Sequence, residues 1–204
     1  ECKDLVEEAQ NDPNKHFLIG QYLIEGQEKF PRIVHLGIKH LKMLMKNGLK
    51  ESAAYYCRML IKGSIIPMNL NKAKKILEKY FDHQEATYLN LYAKIYLKEQ
   101  NYEDSKRFYE KAIQLGNGDA LYEYGNMILK GKGFPIDQEK AIEYYKSAIE
   151  KGCIKASFKY GMLLKNSENE EIRNEGIKYI KFAADNYHIK AMYEYSLIIK
   201  DDQE

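Results

Sequence analysis

The fold is decided by the stretch 119-DALYEYGNMILKGKGFPIDQEKAIEYYKSAIEKG-152, which divides into two amphipathic halves around a break. In the first half, one helical face carries Leu121, Tyr124, Gly125, Ile128 and Leu129. In the second half, the matching face carries Ala141, Tyr144, Tyr145, Ala148 and Ile149. The intervening GKGFPID segment combines two glycines and a proline, which break a helix, with an aspartate that caps the next one. The stretch therefore predicts two helices joined by a turn, and such a pair needs a neighbouring pair to cover its apolar face.

The rest of the chain repeats this pattern at a period typical of helix-pair repeats. Small residues recur with spacings of about 37, 36, 32, 36 and 35 residues, at Gly20, Cys57, Ala93, Gly125, Gly161 and Ser196. A second series keeps step with the first, at Gly37, Ala73, Ser105, Ala141 and Gly176. Two series in register are much harder to obtain by chance than one. We also expect positive φ at the ends of three second helices, at Gly48, Gly116 and Gly152.

The stretch quoted above is the fourth of the repeats, residues 118–152, and it resembles the Sel-one-like repeat, a subclass of the tetratricopeptide-repeat superfamily. The pattern is carried here by Ala120, Gly125, Gly131, Gly133, Asp137, Lys140, Ala141, Tyr144, Tyr145, Ala148 and Gly152. The fifth repeat lacks the double-glycine turn, the third has a shorter turn, and the first two are degenerate. The resemblance implies an all-α architecture and a role as a scaffold or adaptor, without naming the partner.

We therefore expect a single all-α domain over residues 1–204, a right-handed α-solenoid of stacked antiparallel helix pairs. About five and a half repeats run over residues 14–48, 50–83, 84–116, 118–152 and 153–187, with a half repeat at 188–204. Because the sequence begins without Met and stops partway through a repeat, we expect it to be excised from a longer protein.

Composition and charge are those of a globular protein with a near-neutral balance. Hydrophobic residues make up 45% and charged residues 30% of the chain, which argues against disorder. The net charge of +2 argues against a nucleic-acid partner, since such proteins usually carry a strong basic excess. No apolar run is long enough to span a bilayer, and we expect no membrane partner. The three dispersed cysteines favour the cytoplasm, with the ER lumen as the alternative if the full-length protein carries a signal.

No motif for catalysis, metal binding or cofactor binding is recognisable. The Gly131-Lys132-Gly133 turn lacks the downstream residues of a phosphate-binding loop, and the five histidines include no HExxH. We therefore predict a chain that is not an enzyme, takes no cofactor and binds proteins. One alternative is a regulatory or substrate-recruiting segment of a larger enzyme, such as a protein kinase or ubiquitin-ligase complex. An RNA-binding helical repeat is a less favoured alternative.

The geometry of tetratricopeptide-like arrays places candidate binding residues on the first helices, which line the concave side. Positions one and five after the small residue, and three before it, are expected to be exposed. They hold Arg58, Lys62, Lys94, Lys98, Lys130, Asn90, Asn126, Tyr122 and Phe158. We predict a groove for an extended peptide, whose acidic groups or C-terminal carboxylate meet the basic half and whose apolar side chains meet the aromatic half. In the alternative, the lysines are ordinary solvated residues and the aromatic side chains belong to the core.

Overall fold

The structure, a computed structural model, describes residues 12–26 and 31–201, and these residues form eleven α-helices. In chain order the helices are α1 (Pro13–Glu25), α2 (Val34–Lys46), α3 (Lys50–Lys62), α4 (Leu70–Tyr80), α5 (Ala86–Lys98), α6 (Tyr102–Gln114), α7 (Gly118–Leu129), α8 (Gln138–Glu150), α9 (Ile154–Leu164), α10 (Glu170–Asp185) and α11 (Ile189–Asp201). The described ranges contain no β-strand. The helices fall into two compact units, Glu1–Gln100 with α1 to α5 and Asn101–Glu204 with α6 to α11.

Within each unit, helices joined by a short connection pack against each other as antiparallel pairs. In the first unit α1 pairs with α2 and α3 pairs with α4. In the second unit α7 pairs with α8, α9 pairs with α10, and α11 packs on α10. Successive pairs are in contact as well, through α2 and α3 in the first unit and through α8 and α9 in the second. The predicted all-α fold of stacked helix pairs is confirmed.

The two helices of a pair cross where both carry a small residue. A Cβ atom added to Gly161 of α9 would lie 2.7 Å from the carbonyl oxygen of Gly176 in α10, and the reciprocal distance is 2.9 Å. In α3 and α4 the same crossing brings the Cys57 thiol to 3.7 Å from the carbonyl oxygen of Ala73. The two series of small residues therefore mark the points where the backbones approach each other most closely.

Two of the predicted glycines end second helices, and a neighbouring asparagine starts the next helix. Gly116 and Gly152 follow α6 and α8 with φ of 78° and 77°, a left-handed conformation that favours glycine. The Asn117 N–H donates to the carbonyl oxygen of Ala112 at 3.1 Å, which closes the end of α6 as a Schellman motif. The Asn117 side chain then accepts the Ala120 N–H at 2.8 Å and caps α7. One short connection thus ends a helix and starts the next.

The GKGFPID segment forms the predicted turn between α7 and α8. Its last residue, Asp137, accepts the Lys140 N–H at 2.9 Å and caps α8. Its Phe134 ring packs edge-on against the Tyr124 ring of α7, with ring centroids 5.4 Å apart. The turn is therefore held to the helix pair by a side-chain contact as well as by the chain.

A glutamate on α4 joins that helix to α5 through polar and aromatic contacts. The Glu78 carboxylate accepts hydrogen bonds from the hydroxyl groups of Tyr92 and Tyr88, and it lies 2.9 Å from His83 Nε2. The Tyr88 ring stacks on His83 at 4.8 Å and contacts the Tyr92 ring at 4.6 Å. The hydrogen bond from Tyr92 has the largest effect on the pKa of Glu78 and lowers it below its ordinary value of 4.5. Burial opposes this shift, and smaller contributions from Tyr88 and His83 add to it. The ionised carboxylate is therefore the form that the fold favours.

Substitution of Gly161 by alanine should destabilise the second unit. The added methyl group would meet the Gly176 carbonyl oxygen at 2.7 Å and the Ile180 backbone nitrogen at 3.0 Å, and backbone atoms cannot move aside as a flexible side chain can. We expect a loss of about 1–3 kcal/mol in the free energy of unfolding, reduced by the better helix propensity of alanine. Denaturant titration followed by circular dichroism measures it. The matched control is Gly20→Ala, at the same repeat position of α1, where the nearest atoms lie at 3.5 Å and no loss is expected. Equal stability of the two variants would contradict this account of the crossing.

Replacement of Glu78 by glutamine should change how stability depends on pH. Because the folded state lowers the pKa of Glu78, its carboxylate stabilises the fold above the ordinary value of 4.5, and this stabilisation is lost as pH falls through the folded pKa. Since the side chain is 46% exposed, we expect the variant to be less stable at pH 7 by about 1 kcal/mol or less.

The difference between the native chain and Glu78→Gln should shrink as pH falls below the ordinary value of 4.5 and through the lowered pKa of Glu78, in melts recorded from about pH 7 to pH 3. Glu51→Gln is the control, because Glu51 is an exposed residue on α3 that makes no salt bridge within the described ranges. A difference between native and Glu78→Gln that stays constant over this range would show that the hydrogen bonds of Glu78 do not depend on its charge.

Candidate protein-binding surface

The basic residues predicted in the first unit lie on two helices that pack against each other. Arg58 and Lys62 are one turn apart on α3, and Lys94 and Lys98 are one turn apart on α5, which contacts α3. Arg58, Lys62 and Lys98 are exposed, whereas Lys94 is half-buried. Within the ranges 12–26 and 31–201, no salt bridge joins the three exposed cations to a carboxylate. The structure thus places two basic pairs on neighbouring first helices and leaves three of their charges open to solvent.

The expected exposure of Asn90 is corrected by the structure. This residue of α5 is only 4% exposed, and its Oδ1 atom has no hydrogen-bond partner among the described residues. The position three before the small residue is also interior in α3, where Ala54 is 4% exposed. In α1 and α7 the same position holds half-buried Phe17 and Tyr122. The reason is geometric: this position is about 60° around the helix from the buried small residue, so it lies on the flank that packed helices cover.

In the second unit, three of the four predicted binding residues take part in side-chain packing. The Tyr145 hydroxyl donates to Asn126 Oδ1 at 3.0 Å, and the Tyr145 ring lies 5.9 Å from the Tyr122 ring. Burial raises the pKa of Tyr122, so its hydroxyl stays protonated at neutral pH. Phe158 packs against a core cluster around Ile180 and Ala183. Tyr122, Asn126 and Phe158 are half-buried, and the fourth residue, Lys130, is exposed.

Of the three repeat positions predicted to bind a partner, the one five residues after the small residue is the most exposed to solvent. Among the described side chains it holds Glu25, Lys62, Lys98, Lys130 and Asn166, and all five are exposed. The position one after the small residue is mixed, since Arg58 is exposed while Lys94 and Asn126 are half-buried. The open part of the predicted surface is therefore narrower and more basic than the sequence pattern suggested.

The cysteine thiols have the chemistry of buried packing groups. Burial raises the pKa of Cys57 to about 12. Burial also raises the pKa of Cys153, whose Sγ lies 3.7 Å from Asp119 Oδ1. Asp119 in turn forms a 3.1 Å salt bridge with Lys155, and it raises the pKa of Lys155 against the opposing effect of burial. Both thiols are therefore protonated at neutral pH, which is the unreactive form.

Two further properties of the described residues concern metals and membranes. No group of three or more His, Cys, Asp or Glu side chains there has the arrangement of a metal site. No helix in that part of the chain is both long and apolar enough to cross a lipid bilayer.

A second basic surface, on α2 and α4, is hidden in the sequence by the near-neutral charge of the whole chain. Residues 31–80 contain only two acidic residues, Glu51 and Glu78. The same segment contains eleven basic residues: Arg32, Lys39, Lys42, Lys46, Lys50, Arg58, Lys62, Lys72, Lys74, Lys75 and Lys79. Seven of these lie on α2 and α4, the second helices of their pairs. A charge count in a moving window would have found this imbalance, which a net charge of +2 for the chain conceals.

Comparisons with known proteins agree with the helix-pair architecture. The Sel1 repeat family matches residues 86–117 and 118–153. A Sel1 repeat protein from Oxalobacter formigenes is 21% identical, with a TM-score of 0.56 over 92% of this chain and 78% of that one. A Sel1 repeat protein from Klebsiella pneumoniae is 14% identical, with a TM-score of 0.58 over 94% of this chain and 97% of that one.

A third solved structure is a protective antigen with an SLR fold from uropathogenic Escherichia coli. It is 17% identical, with a TM-score of 0.55 over 94% of this chain and 42% of that one. The comparison with curated proteins finds no match.

The structural likenesses, at 14–21% identity, establish the fold alone, and the two sequence matches establish the kind of repeat. Sel1-repeat proteins are generally protein-interaction scaffolds, and their fold is typically non-catalytic. Residues 86–117 and 118–153 are therefore two Sel1 repeats, and the described chain shares the helix-pair fold of solved Sel1-repeat structures.

Proposed function

We propose that this chain is a non-catalytic interaction module that binds a protein partner through the first helices of its repeats. The observation that carries the proposal is the set of exposed cations on α3 and α5, Arg58, Lys62 and Lys98, which make no salt bridge within the described residues. Lys94 lies one turn before Lys98 and extends the same row. Cations that form no salt bridge favour a partner that brings its own carboxylates.

The chemistry of these side chains suits an acidic peptide or a free C-terminal carboxylate. Arg58 has the planar fork of donors that binds a carboxylate through two parallel hydrogen bonds. Lys62, one turn after Arg58 on α3, and Lys98 on α5 add mobile point charges. The packed helix pairs hold these groups in place before binding, so little ordering of the module is needed when the partner arrives.

The second unit, considered separately, carries candidate contacts of its own, which are Lys130 and partly exposed aromatic side chains. Tyr122 and Phe158 are half-buried, and their exposed edges offer apolar contact area to a partner. Asn126 keeps donor capacity after its carbonyl oxygen has accepted the Tyr145 hydroxyl. The buried, protonated thiols of Cys57 and Cys153 suit a reducing compartment, and we place the module in the cytoplasm.

Charge reversal on the first helices should abolish peptide binding. The probes are an array of acidic peptides, each made with a free C-terminal carboxylate and as its amidated twin. We expect the native chain to bind a subset of them, and the triple variant Arg58→Glu, Lys62→Glu, Lys98→Glu to bind at least about tenfold more weakly, because each charge-assisted hydrogen bond contributes about 1.5–3 kcal/mol. Fluorescence anisotropy on the positive peptides measures this loss.

The matched control is Lys151→Glu, Lys178→Glu, Lys181→Glu, which makes the same change of net charge at three exposed residues of the second unit. Circular dichroism establishes that both variants are folded. Equal affinity of the two variants for the same peptides, or the absence of any peptide that the native chain binds, would overturn the proposal. Loss of binding on amidation would identify the C-terminal carboxylate as the recognised group.

A further inference from the structure

The outward face of α2 carries a row of basic side chains. His35, Lys39, Lys42 and Lys46 follow one another at intervals of four, three and four residues, which places them on one face of a helix. All four are exposed. The opposite face of α2 supplies the buried residues Gly37, Leu41, Leu44 and Met45. The row is therefore a solvent-facing stripe on a helix whose other face is held in the core.

A second row lies on α4 and adjoins the first. Lys72, Lys75 and Lys79 are exposed and follow at intervals of three and four residues. The ring of Tyr56, which is only 3% exposed, links the two rows. Lys42 Nζ lies 5.9 Å and Lys72 Nζ lies 5.4 Å from the centroid of that ring. Because both ammonium groups contact one ring, the rows form a continuous basic surface, called here the α2–α4 surface.

The charge of the α2–α4 surface is not neutralised within the described part of the chain. No salt bridge there involves Lys39, Lys46 or Lys75. Of the two carboxylates in residues 31–80, Glu78 already accepts hydrogen bonds from Tyr88 and Tyr92. Like charges at this spacing repel each other, and the free energy of that repulsion is recovered when an anionic partner binds.

The α2–α4 surface also offers one apolar contact. Met43 lies on the flank of the α2 lysine row with 42% of its side chain exposed, and Leu36 and Ile38 are half-buried at the same surface. The described helix α4 adds no exposed large hydrophobic residue. A single exposed methionine has too little apolar area to anchor the surface in a lipid bilayer, but it is enough to pack against the apolar stripe of a partner helix.

The side chains fit nucleic acid less well than they fit carboxylates. Both rows use lysine and histidine, and neither contains an arginine that could grip a phosphate or a base edge through two hydrogen bonds. Tyr56 is buried, and Tyr80 is half-buried beside Lys79, whose Nζ lies 5.1 Å from its ring centroid. Neither ring is open for stacking on an unpaired base.

We propose that the α2–α4 surface docks an acidic amphipathic helix of a protein partner, with its carboxylates along the lysine rows and an apolar side chain on Met43. This surface is built from second helices, so it is a site additional to the one under Proposed function, which lies on α3 and α5. A partner engaging both surfaces would gain avidity, but each surface binds independently.

The test uses fluorescein-labelled 20-residue peptides and fluorescence anisotropy at about 150 mM salt. The first peptide is helix-forming, with glutamates along one face and leucines beside them. The second has the same composition in scrambled order, which removes the apolar stripe. Single-stranded oligouridine and vesicles containing phosphatidylserine are the competing polyanions. We expect the amphipathic peptide to bind at least about tenfold more tightly than the scrambled one, since scrambling removes both the apolar stripe and the glutamate spacing that matches the lysine rows.

Three variants locate the binding site. Lys39→Glu, Lys46→Glu, Lys75→Glu should weaken binding of the amphipathic peptide at least about tenfold, because three attractive charges become repulsive. Lys151→Glu, Lys178→Glu, Lys181→Glu makes the same change of net charge at exposed residues of the second unit and should leave binding within about twofold. Met43→Ser keeps the charge and should weaken the amphipathic peptide about threefold without affecting the scrambled one.

The outcomes separate this surface from the first-helix surface. Full binding by the Lys39→Glu, Lys46→Glu, Lys75→Glu variant, with loss in the Arg58→Glu, Lys62→Glu, Lys98→Glu variant described above, would assign the peptide to α3 and α5 and overturn the α2–α4 proposal. Equal binding of the amphipathic and scrambled peptides would show charge attraction without docking and would also overturn it. Tighter binding of oligouridine or of vesicles than of the peptide would do the same.

Lys39→Gln, Lys46→Gln, Lys75→Gln serves as a second, milder variant if charge reversal prevents folding.

Discussion

The rest of the structure depends on the close approach of two helix backbones at a pair of small residues. Where Gly161 meets Gly176, no side chain separates α9 from α10, so the residues around the crossing interlock. Ile180 and Ala183 are fully buried beside it and join the cluster that holds α11. A larger residue at the crossing would separate the helices and weaken many small dispersion contacts together. Small residues therefore recur along the sequence at the length of one repeat, because each helix pair needs this contact once.

Features that depend on one or two neighbouring residues could be predicted from the sequence. The crossing needs a small residue on each helix, the end of α6 needs Gly116, and the start of α8 needs Asp137. The exposure of candidate binding residues could not be predicted in the same way. Asn90 is buried because of helices that pack on α5, and helical periodicity does not say which flank of a helix a later element covers. The partly apolar, partly polar Tyr122 is half-buried for the same reason.

The local charge imbalance follows from how the first unit uses its carboxylates. Glu25 accepts the Tyr55 hydroxyl at 2.7 Å, Glu78 accepts two further tyrosine hydroxyls, and Asp12 caps α1. Glu85 and Glu99 form salt bridges with Lys50 and Lys74. These acidic groups hold helices and helix ends together, so few remain to face the exposed lysines. In a repeat fold each helix contacts only its neighbours, and a distant acidic segment of the chain does not compensate for this locally.

An excess of lysine on a rigid helical surface attracts many anions, so charge alone gives a fast encounter but little selectivity. Selectivity has to come from groups whose positions are fixed by packing. On α2 the position of Met43 is set by the buried face that includes Leu41 and Leu44, and Lys42 is held over the Tyr56 ring. A partner helix that matches the lysine spacing but lacks an apolar residue opposite Met43 gains only the screened, salt-sensitive part of the interaction. The buried crossing of small residues therefore determines more than the fold, because it fixes the register in which the outer side chains meet a partner.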